Sequence, residues 1–216
     1  MHMKIDIRSL GANDQYKVMS SVVVPRPIAL VSSRSPAGID NVAPYSLFNM
    51  FGEDPPVVIL GLQDHHDRRI KDTTLNIVET GEYAINLVDE GIAKAMNICA
   101  TEFPEEINEA DMAGLTLAPC DLVKASRVVE APVTLECKRI AVVQVAPQRK
   151  IAIGEVVMMH MRDGLMDPDT LRIDIEAYKP VGRLFASLYT RTRDRFEMKR
   201  LSYDDWLKEN RASNQE

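Results

Sequence analysis

The hydrophobic and polar positions along this chain predict a mainly β protein with short helices between the strands. Residues 28–34 and 39–44 have the pattern of strands on either side of a turn at 35–38, which predicts a β-hairpin. Residues 57–63 form an unbroken apolar run after two prolines, a pattern typical of a strand that is buried on both faces. The first part of the chain is therefore predicted to be rich in strands.

The middle of the chain alternates between helical and strand patterns. Apolar residues recur at helical spacing over 68–80, and Gly81 follows at the position of a helix C-cap. Residues 82–88 have the composition of a strand, and 92–99 have the spacing of a second helix. The segment 102–126 contains prolines and a glycine, and we expect it to be an irregular excursion from the core.

Two long strands are predicted at 133–145 and 151–162, with Asp163-Gly164 closing the second. Antiparallel strands with few long helices favour a closed barrel, because closure removes exposed sheet edges. No linker or repeat divides the chain, and charged residues dominate its end. We therefore expect a single domain over 1–190 and a charged C-terminal tail, 191–216, that is exposed or lies on a partner.

Composition and charge exclude several classes of function. The 216 residues carry a net charge of −6, which disfavours nucleic-acid and anionic-membrane partners. No segment has the roughly 18 consecutive apolar residues of a membrane span, and the first residues do not resemble a signal peptide. The three cysteines are widely spaced without a CxxC pair, as in proteins of a reducing compartment. We expect a soluble, cytoplasmic protein.

The segment 25–56 holds the densest candidate chemistry. Ser32 and Ser33 offer hydroxyls directly after an apolar strand, and residues 41–46 form a proline-bounded loop whose backbone N–H groups are rigid donors. Small polar groups beside a stiff apolar surface suit a flat ligand with a polar edge. Asn41 can equally be a turn residue, and the aromatic residues of the segment can equally belong to the core.

Basic residues cluster where the helix predicted at 68–80 begins. Arg68, Arg69 and Lys71 lie in its first turn, although the helix dipole favours acidic residues at that end. Thr73 adds a hydroxyl. Cations in this place indicate a nearby anion such as a phosphate, which helix N-termini and hydroxyls also bind. The alternative is a solvated basic turn.

These stretches resemble the signature of the flavin reductase-like proteins, an FMN-binding split-barrel family. The resemblance rests first on Arg-Pro-Ile-Ala-x-Val-Ser-Ser and Gly-x-x-Asn-x-Ala-Pro-Tyr-Ser-x-Phe, which span Arg26 to Phe48. Further similar stretches begin at Lys71, Gly154 and Pro180. Together they cover roughly residues 15–195, which is most of the chain.

The resemblance implies an antiparallel, Greek-key-like split β-barrel, mainly β with short helices, that binds FMN non-covalently. It also implies a homodimer in which two chains share the FMN sites, with NADH or NADPH as the electron donor. Free flavin or another acceptor would receive the electrons, and the cofactor would supply the chemistry. The alternative is an FMN-binding electron carrier or partner protein with little reductase activity of its own.

The same resemblance implies a set of cofactor-binding residues. They are Arg26, Pro27, Ile28, Ala29, Ser32, Ser33, Asn41, Ala43, Pro44, Tyr45, Ser46, Phe48, Arg68, Lys71, Thr73, Phe185 and Tyr189. Phe185-Ala186 stands where many relatives have two glycines or similarly small residues. We expect Phe185 to reach the ring or to narrow the substrate pocket, and Arg26 or the loop amides to raise the flavin potential.

His160, on the last long strand, is the candidate catalytic residue, which would orient a nicotinamide or donate to the flavin. The alternative is a core histidine bonded to a backbone carbonyl. His65-His66-Asp67 reads as a turn, because adjacent histidines on a strand point to opposite faces and no third ligand has suitable spacing. We expect no metal site and no catalytic thiol.

Overall fold

A computed structural model of the chain describes residues 2–65, 67–104 and 107–213. Its strands are β1 (Ala29–Arg34), β2 (Asp40–Tyr45), β3 (Phe48–Glu53), β4 (Pro56–Gln63), β5 (Glu82–Leu87), β6 (Leu117–Pro119), β7 (Ser126–Val128), β8 (Val133–Ala146), β9 (Arg149–Met161), β10 (Met166–Asp167), β11 (Arg172–Ile173), β12 (Val181–Arg183) and β13 (Tyr189–Arg191). Its helices are α1 (Ala12–Val22), α2 (Asp72–Thr80), α3 (Ala93–Ile98), α4 (Glu109–Ala113) and α5 (Tyr203–Ser213). No helix in the described part of the chain is long and apolar enough to cross a lipid bilayer.

Seven of the described strands form one antiparallel sheet in the order β2-β1-β5-β8-β9-β4-β3. The edge strands β2 and β3 follow each other in the chain with only Ser46 and Leu47 between them, so the sheet returns on itself as a barrel. The Gly61 N–H of β4 donates to the Leu47 carbonyl at 2.7 Å across this seam. The prediction of a mainly β, antiparallel fold is confirmed.

Apolar side chains pack against both faces of the central strands. Ala29 and Val31 of β1 join Tyr83 and Ile85 of β5 in a cluster that draws on five strands and fills the barrel. Leu30, between them, points to the other face and joins a second cluster with α3 and α4. The helices therefore cover the outside of β1 and β5.

The hairpin predicted in the first part of the chain is present as β1 and β2. Gly38 in its turn has a φ of +87°, a conformation that glycine adopts without a steric penalty. The prediction that 57–63 is buried on both faces is wrong. Val58, Leu60 and Leu62 are buried, but the residues between them are only half-buried, because β4 lies beside the edge strand β3 and its outer face is open.

The helix predicted over 68–80 begins four residues later than expected, at Asp72. Arg68 has a φ of +74°, and the Arg69 N–H donates to the Asp67 carboxylate at 3.0 Å, so this segment is a turn. Gly81 has a φ of +71° and its N–H donates to the Ile77 carbonyl, which confirms the predicted C-cap.

The two long strands are present as β8 and β9, but their pairing is not regular. Three register shifts interrupt the pairing of β8 with β9. The extra residue is Val157 of β9 in the first shift, and Ile140 and Val145 of β8 in the other two. Because each β-bulge resets the alternation of side chains, the single apolar face predicted along 133–145 does not persist. Val143 and Val145 are exposed.

The segment predicted as an irregular excursion contains α4 and β6, and it covers the outer face of the sheet; Glu105 and Glu106 lie outside the described residues. The Ser126 carbonyl accepts a hydrogen bond from Ser32 of β1, and the Val128 N–H donates to Asn86 Oδ1 of β5 at 2.9 Å. Together these bonds attach the excursion to two neighbouring strands.

The first residues of the charged tail contact the folded domain through ion pairs. Arg191 and Arg193 pair with Glu90 at 3.1 and 2.7 Å. The following residues to 206 are exposed, including the first turn of α5. That the tail lies on a partner stays a prediction, as does the division of the chain at residue 190.

Candidate functional site

The N-terminal end of α2 brings together several of the implied binding residues. Asn41 of β2 donates through Nδ2 to Thr73 Oγ1 at 2.8 Å. Lys71 stands before the first helical residue in an extended conformation, and none of the described side chains caps the helix. The first N–H groups of a helix have no intrahelical acceptor, so this end offers donors and a partial positive charge.

Two buried hydroxyls at this end, those of Tyr45 and Thr74, have no hydrogen-bond partner in the described part of the chain. The Tyr45 hydroxyl is close to Thr73 but does not reach hydrogen-bond geometry with it. An unpaired buried hydroxyl costs about 1–3 kcal/mol, so such groups are rare in native proteins. They are groups that a polar ligand at the helix N-terminus would satisfy.

Ser33 belongs to this region, and Ser32 does not. Ser33 Oγ accepts from Asn76 Nδ2 of α2 at 3.1 Å. Ser32 Oγ donates to the Ser126 carbonyl at 2.5 Å and accepts from Asn86 on the opposite face of the sheet. Ser32 and Ser33, both implied as cofactor-binding residues, therefore do not lie on the same side of the sheet, because neighbouring residues of a strand face opposite ways. We call the following residues the α2 cluster: Ser33, Asn41, Tyr45, Lys71, Thr73 and Thr74.

Acidic side chains lie beside the α2 cluster and oppose the charge of Lys71. Glu109 of α4 accepts from the Val42 N–H at 3.4 Å. Burial raises the pKa of Glu109, backbone hydrogen bonds offset part of this effect, and the nearby charge of Asp72 adds to it. Burial also raises the pKa of Tyr45 to about 12, so its hydroxyl is a neutral donor at neutral pH. Sequence reasoning missed Glu109 because nothing local to α4 links it to β2.

Arg68 lies outside the cluster. It is exposed in the turn before α2, and its N–H donates to the His65 carbonyl at 3.0 Å. His66 lies outside the described residues. The expectation that Arg68 and Lys71 share the first helical turn is wrong, because the helix starts after both of them.

Arg26 is buried, and protein groups surround its guanidinium. Its nitrogens donate to the carbonyls of Ser20, Val23 and Leu184 at 2.5, 2.9 and 2.7 Å, and to Ser46 Oγ at 3.4 Å. Arg26 thus joins α1, the β2–β3 corner and the segment after β12. This set of bonds gives it a structural role, so it is not a free cation for a ring.

The remaining residues of the opening stretch divide between core and surface. Ile28 and Ala29 are buried in the two apolar clusters, and Pro27 is exposed. The half-buried members, which lie along β2 and into β3, are Ala43, Pro44, Ser46 and Phe48. The half-buried residues are the ones that can contact a ligand at the rim of the barrel.

Phe185 and Tyr189 lie in the hairpin formed by β12 and β13. Their side chains are exposed, with Arg183 stacked 4.5 Å from the centre of the Tyr189 ring. The Arg26 N–H donates to the Arg183 carbonyl at 2.9 Å, which attaches this hairpin beside the β2–β3 corner. Phe185 is therefore available to a ligand at that corner.

His160 lies away from the α2 cluster. It pairs with Thr134 in the sheet, and Thr134 bonds to Asn86, so His160 faces the same side as Ser32. His160 Nε2 is 2.5 Å from Oε1 of the fully buried Glu136. Neither sequence-based alternative describes this arrangement: the partner is a carboxylate, not a carbonyl or a flavin ring. The sequence around Glu136 marks it as a candidate functional residue in one way only, as an acidic residue inside an apolar strand.

An open groove of about 890 Å³ lies beyond the β1–β2 turn. Arg34, Asp40, Cys120 and Lys124 line it, and none of the α2 cluster does. The groove and the cluster are therefore separate. Burial raises the pKa of each of the three free thiols, Cys120 among them, which argues against a catalytic thiolate.

Comparison with known proteins agrees with this fold. Residues 19–182 match the family described as Flavin reductase like domain. An uncharacterized protein of Deinococcus radiodurans is 38% identical over 211 residues, 95% of this chain and 92% of the relative. The structure of 2-nitrobenzoate 2-nitroreductase NbaA from Pseudomonas fluorescens superimposes with a TM-score of 0.85 at 36% identity, covering 93% of this chain and 98% of the other. The structure of nitrilotriacetate monooxygenase component B from Bacillus cereus superimposes with a TM-score of 0.86 at 30% identity, covering 92% of this chain and 99% of the other.

The large antiparallel sheet, which returns on itself, has the split-barrel fold. The chain belongs to the flavin reductase-like family, with the family match covering most of its length.

Proposed function

We propose that this chain binds FMN non-covalently and is an oxidoreductase that passes a hydride from NADH or NADPH, through the flavin, to free flavin or another acceptor. The observation that carries the proposal is the α2 cluster. In it the helix N-terminus and Lys71 meet two buried hydroxyls, and the described residues supply neither a side-chain cap for the helix nor a partner for the hydroxyls. Membership in the flavin reductase-like family supports it.

The residues of the α2 cluster have the chemistry that FMN requires. The first N–H groups of α2 and the ammonium of Lys71 are donors for the phosphate. The hydroxyls of Tyr45 and Thr74 are donors or acceptors for the ribityl chain, and binding would satisfy both. Asn41 holds Thr73 in place through its hydrogen bond.

The bound flavin would supply hydride acceptance and transfer. The protein's part is to hold the ring against the half-buried surface of β2 and β3 and to keep water from one side of it. Backbone groups of 43–46 and the side chain of Phe48 are suited to this role, with Phe185 at the open side.

We further propose that two chains assemble around shared flavin sites. Met50 and Phe51 of β3 are 68% and 65% exposed, next to the corner that carries Ser46 and Phe48. Large apolar side chains that are this exposed are typical of surfaces that another chain covers. A second chain seated on β3 would adjoin the flavin site.

A carrier or partner protein with little reductase activity is the second candidate function. One observation favours it: His160, the candidate for orienting nicotinamide, lies on the opposite face from the α2 cluster. A carrier would take electrons from another protein and would not need a nicotinamide site.

The phosphate assignment is tested by titrating the protein with FMN and with riboflavin, which lacks the phosphate. Lys71→Met should weaken FMN binding by about 1–3 kcal/mol, as expected for the loss of a charge-assisted hydrogen bond, and should leave riboflavin binding nearly unchanged. Arg68→Met, in the preceding turn, is the matched control and should change neither. Equal losses for FMN and riboflavin in Lys71→Met would refute the assignment.

A further inference from the structure

Cys120, Glu136 and His160 come together where the excursion crosses β8 and β9. One sulfur, one carboxylate oxygen and one imidazole nitrogen all lie within 4.8 Å of one another. These side chains lie on the sheet face opposite the α2 cluster and take no part in the proposed flavin site. We propose that they form a binding site for a divalent metal ion of the zinc class, contrary to the expectation from spacing that the chain has no metal site.

The distances are close to those of a tetrahedral site. With bonds of about 2.0–2.3 Å to N, O and S, the ligand atoms around zinc lie about 3.3–3.8 Å apart. His160 Nε2 and Glu136 Oε1 are 2.5 Å apart, so binding an ion would move these two atoms about 1 Å further apart. The His160 side chain is 22% exposed and has room to turn outward, and Cys120 lies in a loop. Small side-chain movements therefore convert the cluster into a coordination set.

Glu136 is already oriented by groups around it. Its Oε1 accepts from the Asp121 N–H at 2.8 Å, and its Oε2 accepts from the N–H groups of Leu122 and Val123 at 2.7 and 3.0 Å. These residues directly follow Cys120, so the carboxylate that would bind the ion also holds the thiol beside it. Hydrogen bonds that orient a ligand in this way are typical of metal sites in proteins.

Charge and donor type favour the same class of ion. A divalent cation with one carboxylate, one thiolate and one neutral imidazole leaves no net charge around Glu136, which is fully buried. Sulfur and nitrogen donors suit zinc, whereas magnesium and calcium prefer oxygen alone. Three protein ligands leave a fourth position, and Cys120 lines the open groove, from which an ion and water can enter.

The test uses the full-length protein, stripped with EDTA and titrated with Co²⁺, whose ligand-field bands lie at longer wavelengths than flavin absorption. We expect one Co²⁺ per chain with the spectrum of a tetrahedral thiolate complex, displaced by Zn²⁺. Cys120→Ser and His160→Gln should each weaken binding by about 100-fold or more, since even a lost supporting contact costs about 10–100-fold. Zn²⁺ should raise the melting temperature of the wild type but not of Cys120→Ser.

His65→Gln is the matched control, because His65 contacts a carboxylate, that of Glu102 at 3.4 Å, outside the cluster. It should bind Co²⁺ as the wild type does. Failure of the wild type to bind either ion below about 100 µM would overturn the proposal, because zinc sites bind far more tightly than that. Unchanged affinity in both Cys120→Ser and His160→Gln would also overturn it. If one variant does not fold, the other and the wild-type titration decide, and FMN binding is measured separately.

Discussion

At the scale of single residues, opposing charges surround the first turn of α2. Lys71 and the helix N-terminus attract an anion, while Asp72 and Glu109 repel one. Glu109 is the more informative of the two acids because burial, with the charge of Asp72, raises its pKa. An acid that is harder to ionise in the folded state than in the unfolded chain makes stability depend on pH.

The Glu109→Gln variant should therefore gain stability relative to the wild type as the pH rises. The folded-state pKa of Glu109 is raised, so its stabilising contribution is present below the unfolded pKa of about 4.3 and is lost as the pH rises through the folded pKa. Melting temperatures of both proteins between about pH 4 and pH 7 measure this. Asp111→Asn, an exposed acid of the same helix, is the control. A difference between Glu109→Gln and wild type that does not change with pH would contradict the argument.

Some residue assignments were within reach of the sequence and others were not. Strand periodicity alone implies that Ser32 and Ser33 face opposite ways, as their different partners confirm. The contact between Glu136 and His160 was out of reach, because it depends on which strands pair and on a loop distant in sequence. The Asp67 carboxylate accepts a hydrogen bond from the Arg69 N–H and so stabilises a turn, although the apolar spacing before Asp72 is helical.

At the scale of elements, local patterns predicted the hairpin and both long strands, and packing decided the details. The register shifts between β8 and β9 have no sequence signal of their own. Packing also explains Gly154 of β9. A Cβ at this position would collide with the hydroxyl of Tyr83, which reaches from β5 through the barrel interior. The glycine therefore allows a large aromatic side chain to fill the barrel.

Gly154→Ala should lower the free energy of unfolding by about 1–3 kcal/mol through this collision. Tyr83→Phe removes the colliding hydroxyl, which has no hydrogen-bond partner among the described residues. It should therefore be nearly neutral alone and should recover part of the loss in the double variant. Urea unfolding of the four proteins measures the coupling. Gly11→Ala, where a Cβ meets nothing within 4 Å, is the control. Strictly additive effects would show that Tyr83 is not the cause.

At the scale of the whole molecule, the proposed dimer places a second chain on the exposed apolar side chains of β3. Met50→Glu with Phe51→Glu should convert a dimer into a monomer and weaken FMN binding, because buried like charges disrupt an interface and the shared site is lost. Sedimentation velocity with parallel FMN titration measures both. Ile39→Glu is the matched control, since Ile39 is as exposed as Phe51, at 65%, but lies in the β1–β2 turn. A wild-type monomer that retains FMN would refute the shared site.

Reduction of the bound flavin tests the central claim most directly. The FMN-loaded protein is mixed anaerobically with excess NADH, and separately with NADPH, in a stopped-flow instrument that follows the absorbance of oxidised flavin. If the protein is a nicotinamide-dependent flavin oxidoreductase, at least one donor bleaches the protein-bound flavin far faster than it reduces free FMN, and an acceptor restores the colour. A chain that takes up no FMN, or a bound flavin that stays oxidised with both nicotinamides yet bleaches with dithionite, would contradict the account.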